Sequence, residues 1–345
     1  MNKLTILFIA LLAIGCGRQE IKQNLDETVW VRNQGADMPV YVHGNVDSKV
    51  IMLVVHGGPG GNGPEYRSGS YAEDLESKYA VAYWDQRGQG MSQGKYSAED
   101  ITIETMVEDL RAVILVLKKK YEGSQVFVFG HSWGGTLTAK YMVTADYQNL
   151  AAGWIESNGA HDIPKLNRDA IQMFKDVSTA QLALGNNTTN WQETLDWANG
   201  VDINNITDEI GGEINSRGQK TDEWLQGDGV VAPSDESGIR ASLLTGHTNP
   251  LTSLLSGNYT SNQLVQNGIE EVALTPELSR VTIPSLFLWG RYDFIVPPSL
   301  GEDAFREVSS ADKELFIFEK SGHSPMNNEW EAYNAAIVQF IERNR

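Results

Sequence analysis

One cysteine is all that the 345-residue chain holds, at position 16, so no intramolecular disulfide can form. Basic residues are scarce as well. Lys and Arg number 27 against 45 Asp and Glu, a formal charge of −18 with a pI of about 4.7. A surface of that sign repels phosphate backbones, which argues against nucleic acid as a partner. There is no low-complexity tract and no fixed-period repeat, so neither disorder nor a repeat architecture is indicated. No His-x-x-x-His pair or cysteine cluster with ligand spacing is present, so neither a metal nor a cofactor is implied. What the chain does have is ample core material: 41% hydrophobic residues, among them nine Trp and twelve Tyr. Its length suits one large domain or two smaller ones.

The cysteine sits at the end of a short apolar stretch. Lys3 supplies a positive start, and Leu4 to Ile14 form a run too short to cross a bilayer of ~30 Å as a helix. Gly15, a small residue, then precedes Cys16. This is the pattern of a secretory signal. Leu12-Ala13-Ile14-Gly15-Cys16 resembles a bacterial lipoprotein signal, with Ala13 where that family usually has Leu. The resemblance implies that Cys16 becomes the acylated first residue of a mature protein held in the bacterial cell envelope, facing the periplasm or the exterior. Residues 17–27 are then expected to act as a polar tether. A plain secretory signal with an incidental Cys16 is the alternative.

Beyond residue 28 the chain alternates between β-rich and amphipathic runs, as βαβ units do. Val29-Trp30-Val31 and Val40-Tyr41-Val42 suggest an opening antiparallel pair. Val50 to Val55 is continuous and branched, which marks a strand buried on both faces. Further strands are expected at Ala80 to Trp84, Val126 to Phe129, Ala151 to Ile155, Ser285 to Trp289 and Leu315 to Phe318. Helices are expected over 101–121, Thr136 to Met142, around Ala304 to Val308, and from Glu329 to Glu342. The pattern breaks between His161 and about Arg280, where strands vanish. Leu166 to Leu184, Trp191 to Trp197 and Leu243 to Leu255 suggest helices there, separated by turns at Gly185-Asn186-Asn187, Gly211-Gly212 and Gly227-Asp228-Gly229. The expected organisation is therefore an α/β core of residues 28–160 and 281–345, with a mostly parallel sheet flanked by helices and a helical cap of residues 161–280 inserted into it.

Gly130-His131-Ser132-Trp133-Gly134-Gly135 follows the buried run Val126 to Phe129. A strand entering Gly-x-Ser-x-Gly is the pattern of a nucleophile elbow, with Ser132 at the tip of a turn too tight for side chains at 130 and 134. A serine hydroxyl needs a base, and the base an orienting acid. Of the six histidines, only His323 lies in a polar loop just past a late strand, in Lys320-Ser321-Gly322-His323-Ser324; an ordinary surface histidine is the alternative. His131 adjoins Ser132, but neighbouring side chains diverge at such a turn. Asp293, in Gly290-Arg291-Tyr292-Asp293, follows another strand and is the candidate acid; a turn-forming Asp is the alternative. The order Ser132, Asp293, His323 is the one that strand-turn-helix hydrolases use. His56-Gly57-Gly58-Pro59-Gly60-Gly61 follows the central strand. Its glycines leave backbone N–H groups open to a substrate carbonyl, so Gly58 and Trp133 are the candidate oxyanion donors. A phosphate loop is disfavoured because no Gly-Lys-Ser/Thr follows.

These motifs, together with Trp84-Asp85-Gln86-Arg87-Gly88-Gln89-Gly90-Met91-Ser92, resemble those of the α/β-hydrolase superfamily, and within it the proline iminopeptidase group. The resemblance covers roughly residues 28–160 and 281–345. It implies the α/β-hydrolase fold and an aminopeptidase that releases N-terminal proline or similar small residues. It also implies that Asp85 and Arg87 hold loops rather than react. The cap departs from the group's pattern: Trp191-Gln192-Glu193-Thr194-Leu195-Asp196-Trp197 matches the amine-binding segment only loosely, so those residues cannot be carried over. Residues 161–280 hold 17 Asp and Glu against 7 Lys and Arg. That balance suits a cationic amine, or is simply the acidic surface of the whole chain. A carboxylesterase or lactonase uses the same machinery, and a non-catalytic binding protein on a hydrolase shell is the reading from another class.

Overall fold

The computed structural model describes residues 24–235 and 249–345. The signal, Cys16 and residues 17–23 lie outside them, as do His247 and the first part of the helix expected from Leu243. Residues 24–27 require a correction. They are not tether but the first rungs of strand β1 (Asn24–Asn33), which pairs antiparallel with β2 (Ala36–Asn45) from Asn24↔Asn45 to Asn33↔Ala36. Glu27 is held besides by Lys120 at 3.0 Å and by the Tyr121 hydroxyl at 2.7 Å, contacts that local composition does not reveal.

The remaining strands are β3 (Val50–Val55), β4 (Ala80–Trp84), the two-residue β5 (Gln93–Gly94), β6 (Gln125–His131), β7 (Gly153–Ser157), β8 (Ser285–Gly290) and β9 (Lys313–Phe318). They form one sheet in the order β1-β2-β4-β3-β6-β7-β8-β9, with β5 on β2. All neighbours from β4 to β9 along that order are parallel. A parallel sheet needs cover on both faces, and β3 shows how its sequence supplies it. Ile51, Leu53 and Val55 point to one side, where helices α2 (Ile103–Lys120) and α3 (Trp133–Val143) pack. Val50, Met52 and Val54 point to the other, where α1 (Gly69–Lys78) packs. Near the C-terminus, α8 (Pro298–Glu307) joins the first layer and α9 (Trp330–Asn344) the second.

Between β7 and β8 the chain forms helices α4 (Ile163–Leu184), α5 (Thr188–Gly200), α6 (Asp208–Gly227) and α7 (Pro250–Gln266). They carry a small core of their own, with Ile171, Phe174, Trp191, Ile214 and Leu225 around Phe294, which comes from the loop after β8. Gly211-Gly212 is not a turn but lies in the first turns of α6. Thr207 caps that helix by accepting from the Ile210 N–H, and its buried face (Ile214, Gly218, Thr221, Leu225) has the i, i+4, i+7 spacing that seats it on the loop after β8. Helix α7 starts at Pro250, where Asn249 accepts from the N–H groups of Leu251 and Thr252, and runs eleven residues past the expected Leu255. No helix among the described residues is long and apolar enough to cross a membrane.

Candidate active site

The parallel strands end at one edge of the sheet, and the loops leaving β3, β6, β8 and β9 carry the residues singled out from the sequence. Ser132 sits between β6 and α3 with φ 57° and ψ −123°, a conformation costly for a residue with a side chain. The turn is locked by Ser132 O, which accepts from Gly135 N at 2.8 Å and Ala160 N at 3.1 Å. Tight packing explains the flanking glycines. A Cβ at 130 would strike the Gly134 carbonyl and the Thr138 hydroxyl, and one at 134 the Val55 carbonyl. The Ser132 side chain is half-buried.

Asp293 and His323 meet. His323 Nδ1 lies 2.8 Å from Asp293 Oδ2. Asp293 is fully buried, and its carboxylate also accepts from the Ile295 and Val296 N–H groups at 2.9 and 2.8 Å and from Asn158 Nδ2 at 2.6 Å. That cradle fixes the carboxylate and therefore the imidazole; no local pattern marks Asn158 for this role. Among the described residues no hydrogen bond joins Ser132 Oγ to His323. His131, the residue before Ser132, has its ring centroid 4.8 Å from that of His323.

His131 is a strut. Its Nε2 is 2.8 Å from the His323 carbonyl and its Nδ1 is 2.6 Å from the Tyr66 hydroxyl, which in turn accepts from the Gly57 N–H at 2.9 Å. This network assigns a tautomer in which Nε2–H donates to His323 O and Nδ1 accepts from Tyr66. Burial, with the neighbouring His323 adding to it, pushes His131 down to about 3, so it stays neutral. A hydrogen-bonded chain thus links the glycine loop after β3 to the loop of His323. His56 is buried, with its pKa lowered to about 4 by burial, and its carbonyl accepts from Gln86 Nε2 at 2.9 Å. The Gln86 side-chain Oε1 accepts from the Trp133 indole N–H, also at 2.9 Å. Asp85 accepts from the N–H groups of Gly63 and Met91, at 2.8 and 2.7 Å. Arg87 grips the buried Asp109 with two bonds of 2.8 and 2.7 Å. Asp85 and Arg87 hold loops.

Above Ser132 lies a cavity of about 330 Å³. Gly58, Pro59, Ser132 and Trp133 form part of its wall. Trp133 is the first residue of α3, so its N–H has no intrahelical acceptor. The Gly58 N–H has no hydrogen-bond partner among the described residues. The lining also includes Asp208 from α6 and Glu270 from the turn after α7, and no Lys or Arg lines the cavity among the described residues. Burial raises the pKa of Glu270, and the charge of Asp208 raises it further. Asp222, also on α6, presses on the histidine loop: a Cβ at Gly322 would collide with its carboxylate. Burial, then the charge of Asp293, pushes Asp222 up to about 6, while His323 opposes the shift. None of Asp208, Asp222 and Glu270 is distinguishable in the sequence, because a generally acidic cap hides which carboxylates reach the cavity or the histidine loop. No group of His, Cys, Asp and Glu among the described residues is arranged to hold a metal ion.

Comparisons with known proteins bear on the fold and the family resemblance. Residues 47–209 match the family model described as serine aminopeptidase, S33. The chain is 25% identical over 280 residues to the probable aminopeptidase YbaC of Bacillus subtilis, covering 80% of this chain and 83% of that one. It is 26% identical over 304 residues to the proline iminopeptidase of Heyndrickxia coagulans, covering 84% and 90%. The crystal structure of the Mycobacterium smegmatis proline iminopeptidase superposes with a TM-score of 0.62 at 17% identity, over 92% of this chain and 98% of that one. The protein has the α/β-hydrolase fold and is an enzyme, its relatives being peptidases and esterases of that superfamily. Within the superfamily its sequence resembles the proline iminopeptidases.

Proposed function

We propose that the protein is a serine aminopeptidase that releases an N-terminal residue, proline or one of similar size, from small peptides. The observation that carries this reading is the cavity, whose lining combines Ser132, Gly58 and Trp133 with two carboxylates, Asp208 and Glu270. A free N-terminal amine is a cation at neutral pH. Binding it would relieve the repulsion that raises Glu270 and would place the first peptide bond toward Ser132.

The chemistry follows from the roles. Ser132 Oγ attacks the carbonyl carbon while its proton passes to His323 Nε2, with a side-chain rotation closing the Ser–His hydrogen bond once substrate is bound. Asp293 holds the imidazole by Nδ1–H and stabilises the imidazolium. The tetrahedral oxyanion accepts from the Gly58 and Trp133 N–H groups, each worth about 2.7–4 kcal/mol of barrier. His323 returns the proton to the leaving amine and the C–N bond breaks. Water, deprotonated by the same histidine, then cleaves the acyl-serine and regenerates the hydroxyl.

Two measurements test this. Proline-β-naphthylamide and p-nitrophenyl acetate are compared as substrates of the native protein and of Asp208→Asn/Glu270→Gln. The expected result is amide turnover in the native protein and, in the variant, a KM for the amide raised about tenfold or more with the ester little changed, since one lost charge contact is worth about 1.5–3 kcal/mol. Brisk ester turnover with negligible amide turnover would make the protein a carboxylesterase or lactonase. Ser132→Ala should keep its melting transition and lose turnover by about 10⁴-fold or more. Failure of a fluorophosphonate to label Ser132 in the native protein would leave a non-catalytic binding protein.

We further propose that Cys16 is acylated and that residues 17–23 tether the fold in the bacterial cell envelope, on the periplasmic or outer side. The Lys3 to Cys16 pattern supports this. Globomycin should cause precursor to accumulate, and the intact mass of the mature chain should carry the lipid on Cys16; a mature chain that starts beyond Cys16 excludes it.

A further inference from the structure

Helix α7 is built inside out. The side it turns to the protein carries Ser253, Gly257, Thr260 and Leu264. Contact there is backbone-close: Thr260 Oγ1 donates to the Gly88 carbonyl at 2.6 Å, and a Cβ on Gly257 would collide with the Gly60 carbonyl. The side it turns outward carries Leu251, Leu254, Leu255 and Tyr259, which are 66, 60, 62 and 51% exposed. Their spacing of i, i+3, i+4 and i+8 makes one continuous stripe. Four large side chains gathered on one outer stripe mark an interaction surface, whereas scattered ones do not.

Charge narrows what that surface fits. The chain is 21% charged and carries −18, yet no Asp, Glu, Lys or Arg occurs between Arg240 and Glu270. Bacterial lipid surfaces are negative and repel an acidic protein. This helix is the stretch from which the repulsion is missing. Its polar residues are Ser, Thr, Asn and Gln, which sit among headgroups without a counter-charge. The chain outside the described residues sets a distance. Only residues 17–23 separate Cys16 from β1, and at ~3.3–3.6 Å each they reach about 25 Å. Such a short tether keeps the fold beside the lipid at high effective concentration, so a modest apolar face suffices to hold it there.

We propose that the stripe of Leu251, Leu254, Leu255 and Tyr259 rests on the lipid surface, with the leucines at the boundary of headgroups and acyl chains. The proposal rests on the acylation of Cys16 set out above. Ser261 and Val265 of the same helix line the catalytic cavity, so the docked stripe and the cavity share one element. A second copy of the chain, or residues 236–248, are the other conceivable covers for the stripe.

The test uses the near-absence of cysteine. In the full-length chain, Leu254→Cys is labelled with an environment-sensitive nitrobenzoxadiazole dye, and Leu184→Cys, exposed at the end of α4, serves as control. Vesicles of phosphatidylcholine and phosphatidylglycerol are then added. The expected result is a several-fold rise in emission with a blue shift at 254 and little change at 184. No change at 254, or an equal change at both, overturns the proposal. Emission already blue-shifted without vesicles overturns it too. If that shift fades on dilution as light scattering reports dissociation, a second copy covers the stripe; if it persists in a monomer, residues 236–248 do. Acylation is read separately from intact mass. A chain that lacks the lipid, labelled with Cys16→Ser so that position 254 is its only thiol, and yet responds there sinks only the anchor, and one that carries the lipid and stays silent sinks only the docking.

Discussion

His131 and Asp222 show how little a residue's neighbours in sequence say about its task. His131 is bonded to the serine of the elbow, yet both of its ring nitrogens are committed to Tyr66 and to the His323 carbonyl. Asp222 lies 71 residues before Asp293 in the chain, yet its carboxylate packs against the histidine loop. Its pKa is raised from 3.8 to about 6, chiefly by burial. The folded state therefore binds a proton there that the unfolded chain has already lost. That contribution to stability is complete below about pH 4 and disappears as the pH rises through 6. Asp222→Asn should accordingly stabilise the protein at pH 8, on the order of 1–3 kcal/mol in urea unfolding, with the gain shrinking toward zero in acid. A gain that grows on acidification would contradict the assignment.

At the scale of elements, the sheet was legible because its strands declare themselves. Val50 to Val55 and Ala80 to Trp84 coincide with β3 and β4, since continuous branched runs have no other way to be buried on both faces. Helix α6 was not legible: its Gly211-Gly212 resembles a turn and its polar residues blur the periodicity. Only packing on the loop after β8 reveals why the chain stays helical there, with Gly218 close against Ile295. Helix α7 raises the same issue in sharper form, because Gly257 lies directly on the Gly60 carbonyl of the glycine loop after β3. Gly257→Ala should cost about 1–3 kcal/mol of stability, the usual effect of overpacking. It should also lower kcat more than it raises KM, by displacing the loop that carries Gly58. Unchanged unfolding and kinetics would mean that α7 does not bear on that loop.

At the scale of the whole molecule, a charge of −18 sets a background repulsion that short ion pairs do not cancel. Most of those pairs are exposed and contribute little, the buried pair of Arg87 and Asp109 being an exception. Raising the salt from about 20 mM to 500 mM shrinks the Debye length severalfold and should raise Tm by a few degrees. A falling Tm would show that the surface pairs outweigh the net charge. The same acidic excess hides the cavity's carboxylates in the sequence: 17 acidic residues in positions 161–280 are too many for sequence to rank.

The sequence by itself determined the β/α alternation, the elbow at Ser132, the glycine loop after β3 and the order in which Asp293 and His323 follow, because each of these is a local pattern written within a few residues. Tertiary structure alone decided which side chains complete the site. The carboxylate cradle from Asn158, the strut of Tyr66 and His131, the place of Asp208 and Glu270 in the cavity lining and of Asp222 against the histidine loop, and the outward turn of the α7 leucines all depend on which face of an element meets which neighbour. That is settled by packing between segments far apart in the chain, and no local pattern encodes it.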